Sequence, residues 1–128
     1  MSRLHLDANA MVALADPTGS VWTSVMQQIQ AGALPETSAV AWHEFVRGPL
    51  TAEDRLRVER LLDARVLAVT RSTAELAAVL FNATGRRRAS TADCFIAATA
   101  IEMGAALVTI NVEDFKRFEG HGLRLLRA

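Results

Sequence analysis

The chain has 128 residues, of which 51% are hydrophobic and 22% charged, a composition typical of a globular chain that buries its own core. Fourteen basic residues balance fourteen acidic ones, so the molecule has no net field that would attract nucleic acid indiscriminately. The single cysteine excludes an internal disulfide and a cysteine-rich metal site. We expect one domain over residues 1–128, in the cytoplasm, because the N-terminus lacks a signal-peptide pattern and no apolar stretch would cross a membrane.

Short apolar runs alternate with amphipathic segments, which favours an α/β fold around a mostly parallel sheet of four to five strands. In chain order, the first half predicts a strand over 4–6, a helix over 10–14, a helix over 21–29, a strand over 34–37, and a helix that is N-capped by Ser38 and ends at Gly48.

The second half continues the alternation. It predicts a helix that begins with a Thr51–Asp54 capping box, a strand over 64–70, a helix that begins with a Ser72–Glu75 capping box and ends at Gly85, a helix capped by a Ser90–Asp93 box, a strand over 106–109, a short helix after Asn111, and a strand over 123–126. In the first of these helices Leu56, Leu61 and Leu62 are predicted to face inward.

Four acidic residues occupy positions that suggest chemistry. Asp7 ends the first strand and Asp114 follows the fourth, and ligands of open α/β sheets bind at these carboxyl ends. Glu44 and Asp93 lie on helices beside small or apolar residues, where a solvated acid is uncommon. Four converging carboxylates would repel one another without a cation, and a hard divalent ion such as Mg²⁺ prefers oxygen ligands. Such an ion also neutralises a phosphodiester and lowers the pKa of bound water.

Three of these acids also have purely structural interpretations. Asp93 would close the capping box with Ser90, and Asp114 would stabilise the dipole of its helix as a first-turn acid. Glu44 would lie on a helix face wetter than its neighbours indicate. Asp7 is harder to explain this way, because an acid directly after a buried strand has little structural use.

Other polar residues accompany the acids. Asn9, Thr109 and Asn111 are neutral oxygen donors near Asp7 and Asp114, although asparagine in a turn commonly caps backbone. The basic run over 86–88 would contact phosphate or an acidic partner segment, or would simply form a solvated loop. Its members are Arg86, Arg87 and Arg88.

Four segments together resemble the PIN-domain ribonucleases, and among them the VapC-type toxins of bacterial toxin–antitoxin pairs. The segments are Leu6-Asp7-Ala8-Asn9, residues 37–45 around Glu44, residues 93–100 from Asp93, and residues 107–115 through Asn111 and Asp114. The resemblance spans nearly the whole chain, and the order of the four motifs is more specific than any one of them.

The resemblance implies a three-layer α/β/α fold and hydrolysis of RNA that depends on Mg²⁺ or Mn²⁺ and leaves 5′-phosphate and 3′-hydroxyl ends. It implies that Asp7, Glu44 and Asp93 are the first three metal-holding acids. The fourth position falls at Asp114 or at Asn111, of which we favour Asp114. It further implies frequent homodimers, inhibition by a small antitoxin protein and transfer RNA as a substrate. His5 departs from the usual apolar residue of the first strand, and we expect a core histidine bonded to backbone.

A competing hypothesis is a non-catalytic binding module, in which the fold persists, the acids only cap helices and the protein acts through complex formation. A haloacid-dehalogenase phosphatase is disfavoured, because it needs a second Asp where this chain has Asn9.

Overall fold

Five short strands form one parallel sheet in the order β3-β2-β1-β4-β5. The structure, a computed structural model, describes residues 2–126. The strands are β1 (Arg3–Leu6), β2 (Leu34–Ser38), β3 (Val66–Leu67), β4 (Ala106–Val108) and β5 (Arg124–Leu125).

Helices connect the strands and flank the sheet. They are α1 (Ala8–Ala13), α2 (Ser20–Gln30), α3 (Ala39–Val46), α4 (Ala52–Leu62), α5 (Arg71–Ala83), α6 (Thr91–Glu102) and α7 (Val112–Phe115), with short 3₁₀ segments at Arg88–Ser90 and Lys116–His121. Within residues 2–126, no helix combines the length and apolarity needed to span a bilayer.

The central strand explains why helices lie on both sides of the sheet. Leu4, His5 and Leu6 of β1 are all buried, although successive side chains of a strand point to opposite faces. A strand buried on both faces is typical of a parallel sheet covered by helices. The predicted α/β class with a parallel sheet of four to five strands is therefore confirmed.

The predicted third strand over 64–70 is wrong in extent. Asp63 and Ala64 have left-handed backbone conformations, with φ of 46° and 66°, which end α4 and interrupt any extended run. Only Val66 and Leu67 pair with β2. Thr70 already serves as the N-cap of α5, so the chain has room for two paired residues.

The predicted Ser72–Glu75 capping box is also wrong. The box is formed two residues earlier, where Thr70 and Thr73 each accept a hydrogen bond from the other's backbone N–H. The Ser72 hydroxyl instead donates to Glu102 on α6 at 2.5 Å, and Glu75 pairs with Arg71. Thr70 is therefore the N-cap residue of α5, the role that the pattern assigned to Ser72.

The inward face of α4 differs from the prediction at one position. Leu56 is 44% exposed, whereas Val58 and Leu62 are buried and Leu61 is partly buried against the core. The apolar face is rotated because Val58, which the pattern did not select, points at the core. The fifth strand is shorter than predicted, with only Arg124 and Leu125 paired to β4.

A buried polar cluster joins the first two strands. His5 and Glu36 are both fully buried, and His5 Nδ1 lies 2.7 Å from Glu36 Oε2. Arg3 Nε donates to the other carboxylate oxygen of Glu36 at 2.5 Å. The partner of His5 is therefore a carboxylate rather than backbone, which corrects the prediction. His5 Nε2 is buried without a partner among the described residues.

Candidate active site

Asp7 lies at the carboxyl end of β1, where the strand turns directly into α1. Its carboxylate is the N-cap of that helix, since Oδ1 accepts from the Ala8 N–H at 2.8 Å. Asp7 is 5% exposed. The side chain thus has a local structural role that the sequence did not predict. The cap uses only Oδ1, and the second carboxylate oxygen, Oδ2, takes no part in it.

Thr109 fixes that second oxygen. Its hydroxyl, at the end of β4, donates to Asp7 Oδ2 at 2.8 Å and accepts from the Asn111 N–H at 3.0 Å. Asn9 joins the same network, because its Oδ1 accepts from the Ile110 N–H at 3.1 Å. The two strand ends are therefore tied together by side chains predicted to support the site.

Glu44 is brought to this edge by α3. Ser38 caps the helix as predicted, accepting from the Ala41 N–H at 3.0 Å, and Ala41 and Phe45 are the buried residues of the helix. The helix packs against α1 and α6. The Glu44 side chain is 28% exposed, and its carboxylate lies 3.8 Å from Arg47 Nη2.

Asp93 lies in the first turn of α6, but it does not close a capping box. The Ser90 hydroxyl donates to the Arg87 carbonyl at 2.7 Å and makes no cap bond to α6, because residues 88–90 form a 3₁₀ turn that leads into the helix. The Ser90–Asp93 box is therefore wrong. The carboxylate of Asp93 lies instead 3.7 Å from Arg117 Nη2.

Asp114 and Asn111 occupy the short segment after β4. Asp114 is an exposed first-turn acid of α7, as the structural interpretation required, and α7 packs against α6. Asn111 is the N-cap residue of α7, but its side chain makes no cap bond. Asp114 is the member of this pair whose charge acts on Asp93.

The four acids share one electrostatic environment. The pKa of Asp93 is raised to about 6, by burial first and then by the charges of Asp7, Asp114 and Glu44, while Arg117 opposes the rise. Burial and the charge of Asp7 raise the pKa of Glu44. Burial also raises the pKa of Asp7, against the hydrogen bonds from Thr109 and Ala8. The folded chain therefore gathers mutually repelling carboxylates at one edge of the sheet.

No closed metal cage exists in the part of the chain that the structure describes. Within residues 2–126, no three His, Cys, Asp or Glu side chains are near enough to one another to form a metal-binding group. The donors nevertheless fit a hard divalent cation, because they are carboxylate oxygens. A bound cation would favour the ionised form of these carboxyl groups. Mg²⁺ takes one or two protein carboxylates and keeps several waters, so it needs no cage.

The predicted contact of the basic run over 86–88 with phosphate or a partner segment stays a prediction. Arg86, Arg87 and Arg88 are exposed, and in residues 2–126 no ion pair or hydrogen bond joins them to the four acids. Arg117, which the sequence analysis did not select, is the arginine next to Asp93. Its only sequence signal is its place just after the Asp114-Phe115 motif.

The PIN-domain family model matches residues 4–120. The chain belongs to the PIN-domain family. The family resemblance seen in the motifs is thereby confirmed, and it covers the segments that carry all four acids. No protein of curated function matches the sequence significantly.

Solved structures share this PIN fold at low identity. VapBC2 from Rickettsia felis, bound to a DNA fragment from its promoter, matches with a TM-score of 0.72 and 18% identity over 97% of each chain. FitAcB from Neisseria gonorrhoeae matches with a TM-score of 0.71 and 20% identity, covering 97% of this chain and 96% of that one. VapBC-5 from Mycobacterium tuberculosis, a member of the VapBC family of toxin–antitoxin systems, matches with a TM-score of 0.61 and 20% identity over 100% of each chain.

Proposed function

We propose that this PIN domain is a metal-dependent endoribonuclease. One observation carries the proposal: the charges of Asp7, Glu44 and Asp114, which come from three other parts of the chain, act on the half-buried Asp93, whose pKa is raised to about 6 by burial and those charges. Neighbouring carboxylates disfavour one another's ionised forms unless a cation lies between them, and carboxylates with raised pKa values are concentrated at functional sites.

Asp7, Glu44, Asp93 and Asp114 would hold Mg²⁺ or Mn²⁺ in this proposal. Bound there, the ion would supply a nucleophilic water at neutral pH and neutralise charge on the phosphodiester. The protein's own part is to hold the acids in place. Thr109 orients Asp7 through its 2.8 Å hydrogen bond, and Asn9 and the Asn111 N–H fix the adjoining loop.

We further propose that the enzyme is the VapC-type toxin of a toxin–antitoxin pair, inhibited by a small cognate antitoxin and forming a homodimer. Family membership and the fold shared with proteins described as toxin–antitoxin complexes support this assignment. Structured RNA, with transfer RNA as the first candidate, is the proposed substrate.

The test is cleavage of a total-RNA pool by the purified protein, with mapped ends. We expect cleavage in Mg²⁺ or Mn²⁺ that stops in EDTA, and products with 5′-phosphate and 3′-hydroxyl ends. Asp7→Asn and Asp93→Asn should abolish it with the fold intact, whereas the exposed Asp16→Asn should cleave like the wild type.

Equal cleavage by the wild type and both site variants would indicate a contaminating nuclease and reject the site. A folded wild type that binds RNA or a partner without cleaving any RNA in either metal would favour the competing hypothesis of a catalytically silent binding module.

A further inference from the structure

Arg117 has hydrogen-bonding capacity that residues 2–126 do not use. A guanidinium carries five N–H donors. Among residues 2–126 no atom accepts a hydrogen bond from Arg117, and its Nε is buried without a partner. Buried donors of this kind are rare, and each calls for an explanation such as a missing ligand.

The guanidinium is nevertheless held in place. It lies over the ring of the buried Phe118, 4.8 Å from the ring centroid, and Phe118 in turn packs edge-on against Phe115. Its Nη2 lies 3.7 Å from Asp93 Oδ2, which is an ion pair but longer than a hydrogen bond. The side chain keeps 23% of its surface exposed. Arg117 is therefore oriented by an aromatic face and attracted by Asp93, and it donates no hydrogen bond to any atom of residues 2–126.

We infer that Arg117 is a substrate-contacting residue that donates to a non-bridging oxygen of the RNA phosphate at the acid cluster. The inference rests on the proposed nuclease function. The planar fork of a guanidinium matches the geometry of a phosphate, and a charge-assisted pair with it is stronger than a neutral hydrogen bond. A cation bound by the acids would compete for the carboxylate of Asp93, which leaves the guanidinium to the anionic substrate.

A purely structural role, as a counter-charge to Asp93, is the alternative. It differs in one measurable respect, because each protein contact to phosphate releases counterions when RNA binds. One lost contact lowers the magnitude of the slope of log affinity against log salt by about 0.7 for a single strand and about 0.9 for a duplex. A residue that only balances Asp93 inside the protein would leave that slope unchanged.

The experiment measures binding of a fluorescein-labelled RNA hairpin in Mg²⁺ at several KCl concentrations. All proteins carry Asp7→Asn, which is expected to bind without cleaving. Adding R117M should weaken binding roughly tenfold to a hundredfold and lower the magnitude of the salt slope by about 0.7–0.9. R117K should retain the slope and weaken binding less, because it keeps the charge but not the fork. The control R71M removes an arginine that is 93% exposed and paired with Glu75, and should change neither value.

A second measurement does not depend on R117M folding. In the nitrogen–proton spectrum of the folded Asp7→Asn protein, the guanidinium signal of Arg117, assigned by its absence from R117K, should move on RNA addition while that of Arg71 stays. An unmoved Arg117 signal at saturating RNA, or an unchanged slope in folded R117M, overturns the inference. If either of these results is found while the wild type cleaves RNA in the presence of metal, only the role of Arg117 is rejected and the nuclease proposal is not. If Arg117 responds but the wild type does not cleave, the nuclease proposal fails and the phosphate contact stands.

Discussion

Replacing Asp93 with asparagine should stabilise the metal-free protein at neutral pH. The pKa of Asp93 is raised in the folded protein from its ordinary value of 3.8 to about 6, so folding favours the protonated form. Below the ordinary value both states are protonated and the penalty is absent. As pH rises towards 6, Asp93 loses its proton first in the unfolded chain, which lowers the stability of the folded state. Above pH 6 Asp93 is ionised in both states, and the loss of stability is complete.

The magnitude follows from that difference. At about 1.4 kcal/mol per pKa unit the full penalty is roughly 3 kcal/mol. The side chain is 29% exposed, and screening by water reduces the expected gain for Asp93→Asn to about 1–2 kcal/mol. A chain of this size should then melt roughly 3–10 °C higher at pH 7. The loss of the Arg117 ion pair does not reverse the sign, because the pKa is raised even with that pair present.

Urea unfolding in EDTA, at pH values from 4 to 8, measures the free energy of unfolding of both proteins. The advantage of Asp93→Asn should be small at pH 4 and grow until about pH 7. Asp16→Asn is the control with the opposite sign, because hydrogen bonds from Thr18 lower the pKa of the exposed Asp16. Parallel pH profiles for the wild type and Asp93→Asn, or a less stable variant at pH 7, would refute the electrostatic reasoning.

Three further outcomes test the packing around the site. Thr109→Val should lower the free energy of unfolding, measured in urea at pH 7, by about 1–3 kcal/mol, because it leaves Asp7 Oδ2 and the Asn111 N–H without their partner. An unchanged free energy of unfolding would mean that water replaces the hydroxyl. Glu36→Gln should cost about 3 kcal/mol in the same assay, because it breaks a buried charge cluster. The control Glu59→Gln, at an exposed pair with Arg55, should cost less than about 1 kcal/mol. Equal losses for the two variants would contradict the burial of the cluster. Cys94, which is 1% exposed and whose pKa burial raises, should react with a thiol reagent only after unfolding, so rapid labelling of the native protein would be inconsistent with its position.

The sequence predicted the strand ends that position the site better than it predicted the helix starts. Asp7 follows the predicted first strand and Thr109 ends the predicted fourth strand, and the carboxyl ends of parallel strands meet at one edge of a sheet. Caps depend instead on a few dihedral angles. Residues 88–90 tighten into a 3₁₀ turn, so Ser90 turns back to the Arg87 carbonyl although its spacing to Asp93 fits a capping box.

Contacts between distant segments explain the residues that the sequence did not reveal. Glu36 lies in β2, where Thr37 and Ser38 are also polar, so the sequence does not mark it as a buried acid; its partner His5 is identified only once β1 and β2 pair. Arg117 belongs to no periodic pattern, because it lies in a 3₁₀ segment. Only the folded chain brings that segment near Asp93 on α6.

The central claim is that acids from separate elements jointly hold one divalent-metal site. Titration of the metal-free protein with Mn²⁺, followed by calorimetry, tests it most directly. Saturable binding by the wild type should be weakened at least tenfold by Asp7→Asn and by Asp93→Asn separately, and should be unaffected by Asp16→Asn. If the wild type binds no Mn²⁺, or if both site variants bind it as tightly as the wild type, the four carboxylates are not one metal site and the proposed mechanism is wrong.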